Sequence, residues 1–339
     1  MRTAIMGAGS LGTILGAYLS KAGRPVELID ANVAHVAALN EHGAKIIGKS
    51  EFTAPVKAIT PDQMEGVYDT VIFLVKQTFN DTALSQLKNH LDGNSTVCTL
   101  QNGIPEYSVS KVLGAERVVG GVVGWGASMI GPGVSEVTSA EAKREFDIGE
   151  LDGKMTDRIV RIKELLELMC PTNILDNLMG LRWNKIIANS ALSGMSAVTG
   201  GTFGDVLDNP EALLRAKFIA NECIDVCRAS GVRMAVRHGY DHGNLLHFET
   251  HSEMLVKDWL FKEIWGPHRN LKASMLQDLE KGIKSEISYI NGTVVDVGKE
   301  HNVPTPVNKQ VVDIVKRIEA GELKSEMANV ALIAVPEIA

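Results

Sequence analysis

The chain has 339 residues, too many for one ordinary small domain and a length suited to two. Lys and Arg number 34 against 41 Asp and Glu, a formal net charge of -7, which argues against a general nucleic-acid or anionic-membrane surface while leaving room for local basic residues that grip a small acid. The apolar share, 45%, is ample for packed cores, and no apolar run approaches the ~20 residues of a membrane span.

The first thirty residues set the pattern. An apolar run, Thr3-Ala4-Ile5-Met6, breaks into Gly7-Ala8-Gly9-Ser10-Leu11-Gly12. Leu11, Ile14, Leu15, Tyr18 and Leu19 then recur at helical spacing, Lys21-Ala22-Gly23 ends the helix, and Pro25 to Asp30 is extended again. Strand, glycine turn, helix and strand, with an acid roughly 20 residues past the turn, is the setting of a dinucleotide fingerprint. In that reading Gly7 allows the tight turn, Gly9 lets a pyrophosphate approach bare backbone, and Gly12 lets the helix pack closely on the sheet. The helix N-terminus points N–H groups and a positive dipole end at the phosphates. Asp30 would accept from the adenosine ribose hydroxyls and repel a 2′-phosphate, and neither Ala31 nor Asn32 supplies an arginine, so NAD is expected over NADP. The bland alternative, a glycine turn with no nucleotide, is weakened by the flanking strands and by Asp30 in register. The early apolar segment is used as a strand, which leaves no room for a signal peptide. Cys98, Cys170, Cys223 and Cys227 match neither a zinc knuckle nor a CxxC pair and read as buried thiols of a cytoplasmic protein.

Beyond Asp30, Asn32 to His42 has helical spacing, and extended runs follow at Ala44 to Ile47 and Phe52 to Ile59. Val71 to Val75 is a continuous apolar run, as expected of a central parallel strand, and ends in Lys76-Gln77-Thr78. Asp81 to Leu91 reads as helix. Ser95 to Leu100 is another buried strand, ending in Gln101-Asn102-Gly103, and Arg117 to Val123 continues the sheet. Polar residues at such strand ends face the ligand crevice. Gly131-Pro132-Gly133 is a hairpin-like turn between extended segments, Met155 to Met169 an amphipathic helix, and Asn173 to Leu175 a last strand.

From about Met179 the pattern becomes helical: Leu181 to Ala197, Glu211 to Ala229, Asn244 to Leu260, Leu271 to Gly282, Ser285 to Glu300 and, after Pro304-Thr305-Pro306, Val307 to Glu319. The expected fold is α/β: a Rossmann-type doubly wound, mostly parallel sheet over residues 1–176, followed by an all-helical substrate and dimerisation domain over residues 177–339. The crevice between the two is the default substrate site.

Several blocks resemble the ketopantoate reductase family over nearly the whole length. They are Gly7 to Gly12, Val75-Lys76-Gln77, Gln101-Asn102-Gly103, Trp183-Asn184-Lys185-Ile186-Ile187-Ala188-Asn189, Ser274-Met275-Leu276-Gln277-Asp278-Leu279 and Ser285 to Gly292. The resemblance implies that Lys185 is the catalytic lysine. The chemistry agrees: hydride delivery to a ketone builds negative charge on oxygen, which an ammonium stabilises and protonates. Lys185 and Asn189, one turn apart, would share a helix face. Similarity also assigns Glu286 to a substrate hydroxyl and to positioning Lys185, Ser274 to the substrate carboxylate, Asn102 to the hydroxyl or the nicotinamide edge, and Lys76 to a place beside the cofactor. The bland readings are a solvated helix lysine for Lys185, helix surface for Ser274, an acid favoured by a helix N-terminus for Glu286, and a turn pair for Asn102-Gly103.

The chain also departs from the family. Relatives place a second asparagine followed by proline four residues past the position of Asn189, where this chain has Ser193-Gly194, so Ser193 stands in for a substrate-binding residue. The stretch from Gly231 to Ser274 is long and carries His238, His242, His247, His251 and His268 with Trp259, Phe261 and Trp265. His238/His242 and His247/His251 have the i,i+4 spacing that chelates a metal on a helix. No accompanying acid is placed as in a known metal motif, so no metal is expected, and a substrate-facing lid or dimer contact is the favoured reading. The resulting expectation is NAD(P)H-dependent reduction of a small 2-oxo acid, 2-dehydropantoate first, by a homodimer. A D-2-hydroxyacid dehydrogenase acting on another branched or aromatic 2-oxo acid and a non-catalytic NAD sensor are the alternatives.

Overall fold

The computed structural model describes residues 1–236 and 239–338. The chain divides into two compact units, Met1–Leu178 and Met179–Ala339. The first runs β1 (Thr3–Met6), α1 (Ser10–Lys21), β2 (Val26–Ile29), α2 (Val33–His42), β3 (Ala44–Gly48), β4 (Phe52–Ala54), β5 (Lys57–Ile59), β6 (Thr70–Phe73), α3 (Asn80–Leu87), β7 (Thr96–Thr99), α4 (Pro105–Leu113), β8 (Val118–Val123), β9 (Ala127–Gly131), β10 (Val134–Val137), β11 (Phe146–Glu150), α5 (Asp157–Leu166) and β12 (Thr172–Ile174).

Among the described residues, eight strands form one sheet in the order β12-β11-β8-β7-β6-β1-β2-β5. Its neighbours are parallel except β8 and β11, where Phe146 lies opposite Val123. The two-residue period of the strands divides the core. Ile5, Ile72, Cys98 and Val119 join a cluster that includes α1 and α5, while Ala4, Met6, Val71, Phe73, Val97 and Val118 join one that includes α3 and α4. Helices on both faces make this the doubly wound, Rossmann-type arrangement.

A second sheet, β4-β3-β10-β9, was not foreseen. The extended run Phe52 to Ile59 is divided between the two sheets, β4 in the small and β5 at the edge of the large, with Pro55, which has no N–H for a ladder, between them. Helix α1 packs against β1 and β2 on one side and the small sheet on the other. That double cover explains why Gly12, Thr13, Ile14, Leu15, Gly16, Ala17 and Leu19 are all buried on a helix whose apolar stripe alone predicted one hidden face.

The second unit is helical: α6 (Leu178–Ala188, beginning at the division), α7 (Gly194–Thr199), α8 (Phe203–Asp208), α9 (Pro210–Ala229), α10 (His242–Leu246), α11 (His251–Trp265), α12 (Ser274–Glu280), α13 (Asn291–Glu300) and α14 (Pro306–Glu319). Four expected helices are shorter or broken. Leu181 to Ala197 is interrupted by a π turn, Asn189–Ser193, where the Asn291 side-chain amide donates to the Ser190 carbonyl at 3.2 Å. Asn244 to Leu260 is broken because the Phe248 N–H goes to Asn221 Oδ1 at 2.9 Å, and the Thr250–Glu253 capping box starts α11 afresh. Leu271 lies outside α12, its carbonyl accepting from Phe203 N at 3.0 Å. Ser285 to Glu300 opens with a separate 3₁₀ turn, Ile287–Tyr289, and Ile290 (φ -113°, ψ -85°) divides it from α13.

These breaks also separate a histidine pair of the stretch. His247 follows the end of α10 and His251 begins α11, so the pair does not share a helix, and His247 Nε2 instead meets Asp225 Oδ1 at 2.9 Å. His238 lies outside the described residues. Phe261 and Trp265 are core, with ring centroids 4.7 Å apart edge to face, whereas Trp259 is exposed. The aromatic content of this stretch therefore serves mainly the interior of the helical unit. Cys223 and Cys227 are wholly buried in α9, and burial pushes the Cys227 thiol up to about 12, which keeps it protonated. Among the described residues, no helix is long and apolar enough to cross a membrane.

Candidate functional site

In the first unit β1, β6 and β7 are adjacent and parallel, so the segments that follow them emerge along one edge of the sheet. This groups Gly7 to Gly12 with Lys76 and Asn102. The Gly7 and Ala8 N–H groups both donate to the Ile29 carbonyl, at 2.8 and 3.2 Å, which turns the chain out of the sheet. Gly7 has φ +94°, and a Cβ there would lie 2.5 Å from Val75 N. A Cβ on Gly12 would lie 2.2 Å from the Gly7 carbonyl oxygen, whereas one on Gly9 would meet nothing within 4 Å. The turn is thus closed where helix meets sheet and open at Gly9.

Gly9 is also the N-cap of α1, with no side chain to satisfy the first N–H groups, and the first turn holds no acid to compete with a phosphate. The cradle fits a pyrophosphate. Asp30 follows β2, is partly exposed, and has its carboxylate fixed by the Asn32 N–H, which donates to Oδ1 at 2.9 Å.

The strand-end loops are tied together by residues to which the sequence reading gave no individual role. Gln77 Nε2 donates to the Asn102 carbonyl at 2.6 Å, and Gln101 Nε2 to the Val75 carbonyl at 2.5 Å and to Asn80 Oδ1 at 2.7 Å. Asn102 is held by its backbone, with its side chain partly exposed, and Lys76 is exposed at the start of a 3₁₀ turn. Polar clusters at the ends of two buried strands were the available signal, but partners that far apart in sequence are visible only in the fold.

In the second unit, every residue from Gly180 to Thr199 is buried except Lys185, Ala188 and Asn189. These three, at i, i+3 and i+4, form a single partly exposed stripe. Ser193 lies at the end of the π turn with 7% exposure. The departure at Gly194 has a packing reason: a Cβ there would come within 2.9 Å of Asn291 Oδ1 and 3.3 Å of Val311 Cγ1. Helix α12 packs on α7 and the π turn, and Ser274 is its exposed first residue. Glu286, 8% exposed, is the N-cap of the 3₁₀ turn that leads into Asn291.

A buried polar strut holds the π turn. Glu222 accepts from the Val307 and Asn308 N–H groups at 2.8 and 2.9 Å and from Asn308 Nδ2 at 2.7 Å, capping α14. Asn291 Nδ2 donates to Asn308 Oδ1 at 3.0 Å as well as to the Ser190 carbonyl. Burial pushes the Glu222 carboxyl up to about 7 against these three donors, with neighbouring Asp225 adding to the rise. Because the folded value lies above the ordinary 4.5, the associated stability is complete below about pH 4.5 and is lost as pH rises through about 7. Urea unfolding is expected to show a stability loss on the order of 3 kcal/mol from this group between about pH 5 and pH 8. The Glu222→Gln variant should lack that slope, whatever its absolute stability; an identical slope in both proteins would exclude Glu222 as its source.

Residues 3–153 match the family model of ketopantoate reductase PanE/ApbA, and residues 177–319 match that of its C-terminal region. The chain belongs to the ketopantoate reductase family. It is 27% identical to 2-dehydropantoate 2-reductase of Mesorhizobium japonicum, over 94% of this chain and 98% of that protein. It is also 27% identical to that of Pyrococcus abyssi, over 96% of this chain and 100% of the relative. Among solved structures, a PanE/ApbA family ketopantoate reductase from Ralstonia eutropha superposes with a TM-score of 0.80 at 27% identity, covering 95% of this chain and 99% of that one. D-mandelate dehydrogenase bound to NADH and anilino(oxo)acetate gives the same TM-score of 0.80 at 22% identity, over 95% and 99% of the two chains, which is a likeness of fold. This ketopantoate reductase family member is an NAD(P)-dependent oxidoreductase that reduces a 2-oxo acid.

Proposed function

We propose that this chain reduces 2-dehydropantoate to pantoate with NADH, with Lys185 as the proton donor. The observation that carries this reading is the lysine–asparagine stripe in a largely buried segment: Lys185 and Asn189 are partly exposed while most of the residues from Gly180 to Thr199 are buried. Bound NADH supplies the hydride. As the carbonyl carbon accepts it, the Lys185 ammonium stabilises the negative charge on oxygen and then gives up its proton, leaving the hydroxyl. Asn189 and Ser193 hydrogen-bond the substrate, Ser274 binds its carboxylate, and Glu286 accepts from a substrate hydroxyl and orients Lys185. Asn102 lines the nicotinamide edge or the hydroxyl, and Lys76 adds positive charge beside the cofactor.

NADH is preferred to NADPH in this reading because Asp30 accepts from the ribose hydroxyls and its charge repels a 2′-phosphate. Asp30→Ala is expected to move the ratio of kcat/KM for NADH over NADPH toward NADPH by about tenfold, the worth of a charged hydrogen bond. An unchanged ratio would remove Asp30 from the ribose.

The substrate test is oxidation of NADH and NADPH with a panel of 2-oxo acids, comparing kcat/KM for 2-dehydropantoate with those for other branched and for aromatic acids. Highest kcat/KM for 2-dehydropantoate supports the first reading. Ser193-Gly194 in place of the family's asparagine and proline favours the second reading, a D-2-hydroxyacid dehydrogenase for another branched or aromatic acid, which a higher kcat/KM for such an acid would establish.

A further inference from the structure

Buried beneath the glycine turn is a histidine that neither fingerprint nor family blocks include. His35, on α2, is 1% exposed. Its Nδ1 accepts from the Gly133 N–H at 3.0 Å, in the turn between β9 and β10. That bond fixes the tautomer: the proton sits on Nε2, which donates to the Ala8 carbonyl at 2.8 Å. Thr13 Oγ1, also buried, donates to the same carbonyl at 2.6 Å and lies 3.1 Å from His35 Nε2.

The consequence lies in the next amide. Among the described residues there is no cis peptide, and in a trans peptide N–H and C=O point opposite ways. With the Ala8 carbonyl drawn inward by two donors, the Gly9 N–H is turned outward, at the position where a Cβ would meet nothing within 4 Å. Without those donors the peptide could rotate and carry its amide away. We propose that His35 is a positioning residue for the dinucleotide, linking the small second sheet to the Ala8 carbonyl and so aiming the Gly9 amide at the pyrophosphate. The small sheet thereby gains a role in cofactor binding: its hairpin supplies the N–H that sets the histidine tautomer. This inference rests on the dinucleotide reading of the turn.

The test measures NADH binding to the full chain by fluorescence titration and displacement of NADH by ADP-ribose and by adenosine. Adenosine lacks the phosphates that the Gly9 amide would meet. His35→Leu is expected to weaken NADH and ADP-ribose about fivefold to tenfold and adenosine by less than about twofold. His35→Gln, whose amide offers one donor and one acceptor, should restore both within about twofold. Equal losses for adenosine and ADP-ribose, or no loss in a folded His35→Leu, would overturn the proposal. Should His35→Leu fail to fold, Thr13→Val removes the companion donor and must show the same phosphate-selective loss; an unselective or absent effect there also overturns it. Failure of the unaltered chain to bind either NADH or NADPH would instead reject the dinucleotide reading on which the inference stands.

Discussion

Lys185→Ala is expected to lower kcat by ~10²-fold or more, the usual contribution of a positioned general acid, with NADH affinity held within about twofold. The split follows from where the two tasks lie. The residues proposed to hold the nucleotide, Gly7 to Gly12, Asp30, Lys76 and Asn102, belong to the Met1–Leu178 unit, and Lys185 to the Met179–Ala339 unit. Stability should change little, because Lys185 is partly exposed and its removal opens no fully buried cavity. Lys185→Arg should not rescue turnover: a guanidinium holds positive charge but gives up a proton far less readily than an ammonium. Asn189→Ala, by contrast, should act more on KM, the behaviour of a residue that binds substrate and transition state alike. Single-turnover NADH oxidation separates these outcomes from effects on product release. Near-native turnover in Lys185→Ala would remove the lysine from the chemistry and place the proton donor elsewhere.

The sequence carried the large sheet well because its information is local. Apolar runs such as Val71 to Phe73 can be read one strand at a time, and each glycine of the first turn answers a constraint set within a few residues. What escaped the reading depends on partners far apart in the chain. The π turn at Asn189–Ser193 is gripped by Asn291, which reaches the Ser190 carbonyl, and 101 residues separate the two. His35 accepts from Gly133 across 98 residues. The small sheet joins β3 to β10 in parallel, a pairing that needs a long crossover and leaves no hairpin signature. The histidine spacing carried little for the opposite reason: i,i+4 has meaning only on a continuous helix, and the Asn221 and Thr250 side chains end one helix and begin the next between His247 and His251. Lys185 and Asn189 were legible as a pair, yet only the burial of the residues around them shows their stripe to be the accessible one on that helix.

The second large effect concerns two glycines to which the fingerprint gives different tasks. Gly9→Ala and Gly12→Ala are both expected to impair NADH binding, but only Gly12→Ala should also destabilise the fold. At Gly12 the new methyl would lie 2.2 Å from the Gly7 carbonyl oxygen and 3.1 Å from Ile5 Cγ2. Backbone cannot yield as a flexible side chain does, so α1 must move off the sheet, at a cost of roughly 3 kcal/mol on the scale of overpacked cores. Because α1 is held on its other side by the small sheet, the displacement has nowhere to go without disturbing that packing too. At Gly9 the backbone has φ -62°, which any residue adopts, and a methyl would meet nothing of the protein within 4 Å. The space is vacant in the fold but needed by the pyrophosphate, so Gly9→Ala should keep the wild-type Tm while weakening NADH about tenfold or more. Calorimetry and NADH titration on the two variants read the difference directly. A Gly9→Ala protein that bound NADH with wild-type affinity would mean that the phosphates do not approach this turn. A Gly12→Ala protein of wild-type stability would mean that α1 does not sit as close to β1 as its glycine requires.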